Sequence, residues 1–171
     1  MLGIVSVCAV LSTNETLRPG YWVQYGDSIE GLETHDSLGY SVSISRNGEF
    51  LVVGAPYSDV GGDDSGQVHV YANDGTNYNL LQSDTGTPWG FVNGSAEKDY
   101  EGFSVDISET FFLIGATGKD QNGQQSGSVQ LWKVHTATNM LGEFTYLLFE
   151  NEIFGENNDD LMGYSVSIQQ N

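Results

Sequence analysis

Three times the chain places an Asp three residues ahead of a Gly that opens an alternating Ser-Val segment. The copies read "DSLGYSVSI" from Asp36, "DYEGFSVDI" from Asp99 and "DLMGYSVSI" from Asp160. The glycines fall at Gly39, Gly102 and Gly163, in steps of 63 and 61. A second pair, Gly54 and Gly115, and a third, Gly66 and Gly127, keep the step of 61. The two extra residues of the first step lie in one turn, where "SRNGEF" is answered by "SETF". A period of this length confines the chain to architectures in which each unit buries its apolar face against the next.

The register reaches the first residues. Gly3, Gly66 and Gly127 each stand 36 positions before an opening glycine, so "GIVSVC" takes the place of "GQVHVY" and "GSVQLW". Ile29-Glu30-Gly31, Val92-Asn93-Gly94 and Ile153-Phe154-Gly155 share a register as well. "MLGIVSVCAVL" could instead be the core of a secretory leader, but no basic residue precedes its short apolar run. The register favours a strand.

Each unit holds four strand-like segments. In "GYSVSIS", Tyr40, Val42 and Ile44 alternate with serines, as Phe103, Val105 and Ile107 do in the next copy. Period two marks a strand with unlike faces, and the small serine face admits close approach of a neighbour. "FLVVGA" and "FFLIGA" are apolar on both faces and predict a buried strand. "GQVHVY" is the third segment; "YNLLQ", and "FTYLLF" in the next unit, are the fourth. Gly54 and Gly115 end apolar runs, which suits a bend or the close approach of another backbone. Asp36, Asp99 and Asp160 can bond the N–H groups of their own turns, and Asn47-Gly48 predicts a hairpin turn.

Four antiparallel strands in about 61 residues make a β-propeller blade. At that size 171 residues supply roughly 2.8 blades, whereas closed propellers take 4–8. The chain divides into 1–35, the outer strands of a preceding blade and a loop; 36–98, a complete blade; 99–159, a second; and 160–171, the first strand of a further one. The expected fold is all-β, an incomplete ring with exposed blade faces and edge strands. Closing it takes further blades of the same chain or other copies.

Composition narrows the partners. With 5 Lys+Arg against 23 Asp+Glu, the formal charge is −18, which argues against nucleic acid and anionic membranes. The acids are spread along the chain, as on a solvated surface. Cys8 is the only cysteine, so no intrachain disulfide defines the fold. No run approaches the ~18 apolar residues of a spanning helix. Asn14-Glu15-Thr16 and Asn93-Gly94-Ser95 are glycosylation sequons, of consequence only in a eukaryotic secretory pathway.

The ordered motifs resemble the FG-GAP repeat of integrin alpha-subunit propellers and related surface proteins. The "FG" position is Leu38-Gly39, Glu101-Gly102 and Met162-Gly163; the "GAP" position is Gly54-Ala55-Pro56 and, reduced, Gly115-Ala116-Thr117. The resemblance spans nearly the whole chain and departs in lacking Phe at every "FG". It implies a seven-bladed propeller, a glycoprotein scaffold rather than a catalyst, extracellular or at the cell surface, with a protein or glycan ligand. Fold alone does not fix function.

The family's calcium loop lies between the first and second strands. Here that loop offers Ser43, Ser45 and Asn47 in one unit and Asp106 and Glu109 in the other, too few acids for six to eight oxygens. The site is therefore not carried over. "SDVGGDDSG" is more acidic, and any ion, calcium above all, is expected at Asp59, Asp63 and Asp64; the default is solvated acid. "KDQNGQQSG" keeps only Asp120. Asp63 and Asp64 are adjacent, so on a strand they would point apart.

No nucleophile elbow, phosphate loop or metal-spaced His pair appears. His69 stands where Gln130 stands one unit later and reads as a surface or packing position. The chain is expected not to be an enzyme. Two rival readings are a lectin-like propeller and an accessory domain of a larger secreted enzyme. In the lectin, Tyr21, Trp22, Tyr25, Trp89 and Phe91 would stack on sugars from loops between blades; otherwise they plug the gaps.

Overall fold

The computed structural model describes residues 4–5, 24–82, 89–139 and 142–169. All its regular structure is β, and the sheets do not close on one another. A two-stranded piece pairs β1 (Ile4–Val5) with β2 (Ile29–Glu30). The first blade holds β3 (Ser41–Ile44), β4 (Phe50–Ala55), β5 (Gln67–Asn73), β6 (Tyr78–Leu80) and β7 (Phe91–Asn93). The second holds β8 (Glu101–Ile107), β9 (Phe111–Ala116), β10 (Ser128–Asn139) and β11 (Gly142–Phe154), in the order β11-β10-β9-β8. Neighbours are antiparallel throughout.

Ile4↔Glu30 and Val5↔Ile29 reproduce the pairs Gln67↔Asn93 and Val68↔Val92, so the first hairpin has the register of the outer half of a blade. The fourth strand departs from expectation. In the first blade it is split: β6 and β7 both pair with β5, and Phe91 lies on a strand rather than in a loop between blades. In the second blade it runs unbroken to Phe154, well past "FTYLLF", with a register shift opposite Leu131 and Trp132 of β10 that leaves Glu150 as the extra residue.

The blades pack face to face. Val52, Val68 and Val70 of the first meet Val105, Phe112 and Ile114 of the second. Each fully buried side chain of that size stabilises by about 1.5–3 kcal/mol. The opposite face of the first blade buries Leu51, Val53, Tyr71 and Tyr78 beneath Tyr25 and Ile29. The opposite face of the second blade stays open: Ile153 is 51% exposed, whereas Val92, at the same place one blade earlier, is 5% exposed.

The seam between blades is largely main chain. A Cβ on Gly54 would collide with the carbonyl of Gly102, and one on Gly115 with that of Gly163. Thus the "GAP" glycine of each blade receives the "FG" turn of the next. Ser41 Oγ donates to Gly102 O at 2.8 Å, and Ser104 Oγ to Gly163 O at 2.7 Å. The amides of Lys98, Tyr100 and Glu101 donate to the carbonyls of Asp63, Asp64 and Ser65; those of Asp159, Leu161 and Met162 do the same at Gln124, Gln125 and Ser126. The small serine face therefore serves as expected.

The opening turns force non-glycine residues to positive φ at matching places: His35, Lys98 and Asp159 at 86°, 62° and 60°, then Ser37, Tyr100 and Leu161 at 56°, 54° and 50°. Such backbone persists only where its surroundings over-determine it. Two turns are capped as expected. Asp99 Oδ2 accepts from the amides of Ser95 and Ala96 at 3.0 and 2.9 Å, and Asp160 Oδ2 from those of Glu156 and Asn157 at 2.9 and 2.8 Å. Asp36 makes no such bonds among the described residues, which corrects the expectation for the first turn.

Candidate functional site

The loops that carry polar chemistry gather at one end of the blades, where each opening turn faces the loop that follows the "GAP" strand. In the second blade this meeting place is a pocket of about 430 Å³, lined among others by Asp99, Lys119, Asp120 and Glu152. In the first it is a pocket of about 360 Å³ lined by Glu33, Thr34, Asp36, Ser58, Asp59 and Val60. The repeat superposes the two: Ser58 answers Lys119 and Asp59 answers Asp120.

The second pocket has an ionic floor. Lys119 Nζ lies 2.9 Å from Glu152 Oε1 and 3.6 Å from Glu101 Oε2. Ser128 Oγ donates to Glu152 Oε1 at 2.8 Å, and Gln130 Nε2 to Glu101 Oε2 at 3.1 Å. Glu101 is wholly buried and its Oε1 has no hydrogen-bond partner. Burial pushes its carboxyl up to about 7, against the opposing pull of Lys119. At the corresponding positions the first blade has Leu38, Ser58, His69 and Phe91 for Glu101, Lys119, Gln130 and Glu152. The ion cluster was missed in the sequence. Its trace is that these positions change character together between copies.

His69 is 3% exposed, a packing position and not a surface one. Its Nε2 lies 2.6 Å from Gln67 Oε1, its Nδ1 3.1 Å from Tyr71 Oη, and Phe91 stands edge-on to the ring at 4.8 Å. Burial lowers its pKa to about 4, so the imidazole is neutral at pH 7. The depressed value stabilises the fold above pH 6.5, and that contribution is lost as pH falls from 6.5 to 4, roughly 3 kcal/mol in all. His69→Gln, the residue of the second blade, should flatten this acid limb in urea unfolding at pH 4 to 7. An unchanged slope would refute the assignment.

Asp59, Asp63 and Asp64 lie in a turn, not on a strand, and their carboxylates converge to within 4.8 Å of one another, which corrects the expectation that Asp63 and Asp64 point apart. Asp59 Oδ1 accepts from the Asp64 amide at 2.9 Å; Asp120 Oδ1 does the same for Gln125 at 2.7 Å. That bond shapes the loop in both blades. Burial and the charges of Asp63 and Asp59 raise the Asp64 pKa. The hairpin donors are committed elsewhere: Asn47 Oδ1 accepts from Ser45 Oγ, and Asp106 takes Ser43 Oγ and the Ile168 amide.

Among the described residues the expected stacking aromatics do not gather. Tyr21, Trp22 and the Asn14 sequon lie outside the described residues. Tyr25 packs edge-on against Tyr78, Phe91 is half-buried on His69, and Trp89 alone is exposed, at 47%. Asn93 is exposed on β7, its Oδ1 accepting from Gln67 Nε2 at 2.8 Å. A different aromatic row was overlooked. Tyr40, Phe103 and Tyr164, the residue after each opening glycine, stand 5.1 Å apart ring to ring, and Tyr57 and Tyr100 extend the row toward the acidic loops. Tyr40 and Tyr164 are 49% and 65% exposed. The signal, one aromatic per copy at a fixed place, was in the sequence.

The family model of the FG-GAP repeat matches residues 31–71 and 93–132. The chain carries two FG-GAP repeats. Its two matched windows begin just ahead of the opening turns and end on β5 and β10, so each takes in the turn, the "GAP" strand and the strand after it. A search of curated proteins returned no match to this FG-GAP chain.

Proposed function

We propose that this chain is a non-catalytic recognition module of the adhesion type, acting outside the cell or at its surface on a protein or glycan ligand. The observation that carries this reading is the row Tyr40–Phe103–Tyr164 beside the acidic loops, with Phe103 half-buried and Tyr40 and Tyr164 exposed. Exposed aromatics supply rigid contact area of the kind that dominates binding interfaces. The FG-GAP repeats support the reading through the surface proteins they resemble. Cells should attach to the immobilised chain, and Tyr40→Ala with Tyr164→Ala should reduce attachment at least about tenfold if both rings are interface anchors. Attachment no better than to an albumin-coated surface would sink the idea.

Exposed Trp89 favours a second reading, a lectin-like propeller that stacks sugar faces on the indole. On a glycan array this predicts reproducible binding that Trp89→Ala abolishes. Binding unchanged by that substitution would remove Trp89 from the site.

A further inference from the structure

The two pockets described above are one structural site with two fillings. In the second blade the protein inserts its own cation, the Lys119 ammonium. In the first blade the same backbone position carries Ser58, and the described residues that line the pocket include no Lys or Arg. Three carboxylates remain around it, those of Glu33, Asp36 and Asp59. We propose that the first-blade pocket binds a divalent metal ion of the calcium class, held by the carboxylates of Asp36 and Asp59 and the hydroxyl of Ser58.

Ser58 is 1% exposed, and its Oγ has no hydrogen-bond partner. A buried hydroxyl without a partner calls for an explanation, and a bound ion is one. The hydroxyl belongs to the same pocket lining as Asp36 but makes no hydrogen bond to it. Among the described residues Asp36 caps no turn, whereas Asp99 and Asp160 spend an oxygen on two amides each. Glu33, Asp36 and Asp59 all line this pocket, so three like charges share it with no Lys or Arg among its described lining residues. Such mutual repulsion is what a bound cation relieves.

The donors are all hard oxygens, which suits calcium or magnesium rather than a transition metal. The floor acids Glu101 and Glu152 are replaced by Leu38 and Phe91 in this blade. The ion therefore sits toward the rim, where water completes its shell. Asp63 and Asp64, converging on Asp59, add negative charge there.

Calcium and magnesium titrations of the chelator-treated full chain test this, read by calorimetry and by thermal unfolding. Calcium should bind with a dissociation constant of about 0.1–1 mM, as in weak extracellular sites, and raise the melting temperature. Asp36→Asn and Asp59→Asn should each weaken binding at least about tenfold, because each removes one charged ligand. Asn at 59 still offers a carbonyl oxygen to the Asp64 amide, so the loop keeps its shape. Ser58→Lys places an ammonium in the pocket and should abolish the calcium response. Its metal-free melting temperature should fall, because Leu38 and Phe91 replace the acids that partner Lys119, so a retained cooperative thermal transition is what separates site filling from misfolding. No response up to about 5 mM calcium, or a response that survives Ser58→Lys, would overturn the proposal. So would loss on Asp63→Asn/Asp64→Asn with none on Asp36→Asn, which would put the ion in the outer cluster. An equal response to arginine amide would also overturn it, in favour of a basic organic group.

Discussion

Lys119→Met should destabilise the protein by about 3–5 kcal/mol at pH 8, because it strands two buried or half-buried carboxylates without their cation. Glu101 is wholly buried, and Lys119 is its one ion-pair partner among the described residues. The loss should shrink toward pH 5. A carboxyl raised to about 7 favours the folded state below its unfolded value near 4.5, and that contribution is lost as pH rises through 7. Without Lys119 the group can fold only in its protonated form, so acid rescues the variant. Urea unfolding at the two pH values reads this directly; equal losses at both would mean that Lys119 acts by packing. The combined change Glu101→Leu, Lys119→Met, Glu152→Phe should recover most of the stability, since well-packed apolar groups often replace a buried ion cluster at no cost.

Gly54→Ala should have an effect of similar size for an unrelated reason. Its added methyl would meet the Gly102 carbonyl and Ser41 Oγ. Backbone cannot give way as a side chain does, so the blades must part, at a cost of about 3 kcal/mol, the upper end of overpacking. Gly75, with nothing near its missing Cβ, is the control for added bulk, although its φ of 94° brings strain of its own. Thermal unfolding of the pair would decide. If Gly54→Ala melts no lower than Gly75→Ala, the close approach is not what fixes that glycine.

What could be read from the sequence follows a physical division. The strands at the middle of each blade were legible because β4 and β9 must be apolar on both faces and end at a glycine that another backbone touches. The seam was legible too, since its glycines and serines repeat at fixed steps. The split of the fourth strand into β6 and β7 was not, because an outermost strand is held from one side and tolerates interruption. Phe91 was accordingly misplaced. The cluster of Glu101, Lys119 and Glu152 was hidden for another reason: its members lie on separate segments, and pairing in space leaves no spacing in one chain. Comparing the copies position by position would have exposed it, because Leu38, Ser58 and Phe91 differ from their counterparts in the same sense.

The seam has one more consequence. Its hydrogen bonds run from the amides of one turn to the carbonyls of the preceding loop, and every residue except proline carries both groups. The "FG" position can therefore be Glu101 or Met162 without altering how one unit meets the next. Units joined in this way are interchangeable parts. A blade could be duplicated, deleted or exchanged for one with different loops, and the rim could diversify while the joint stays the same.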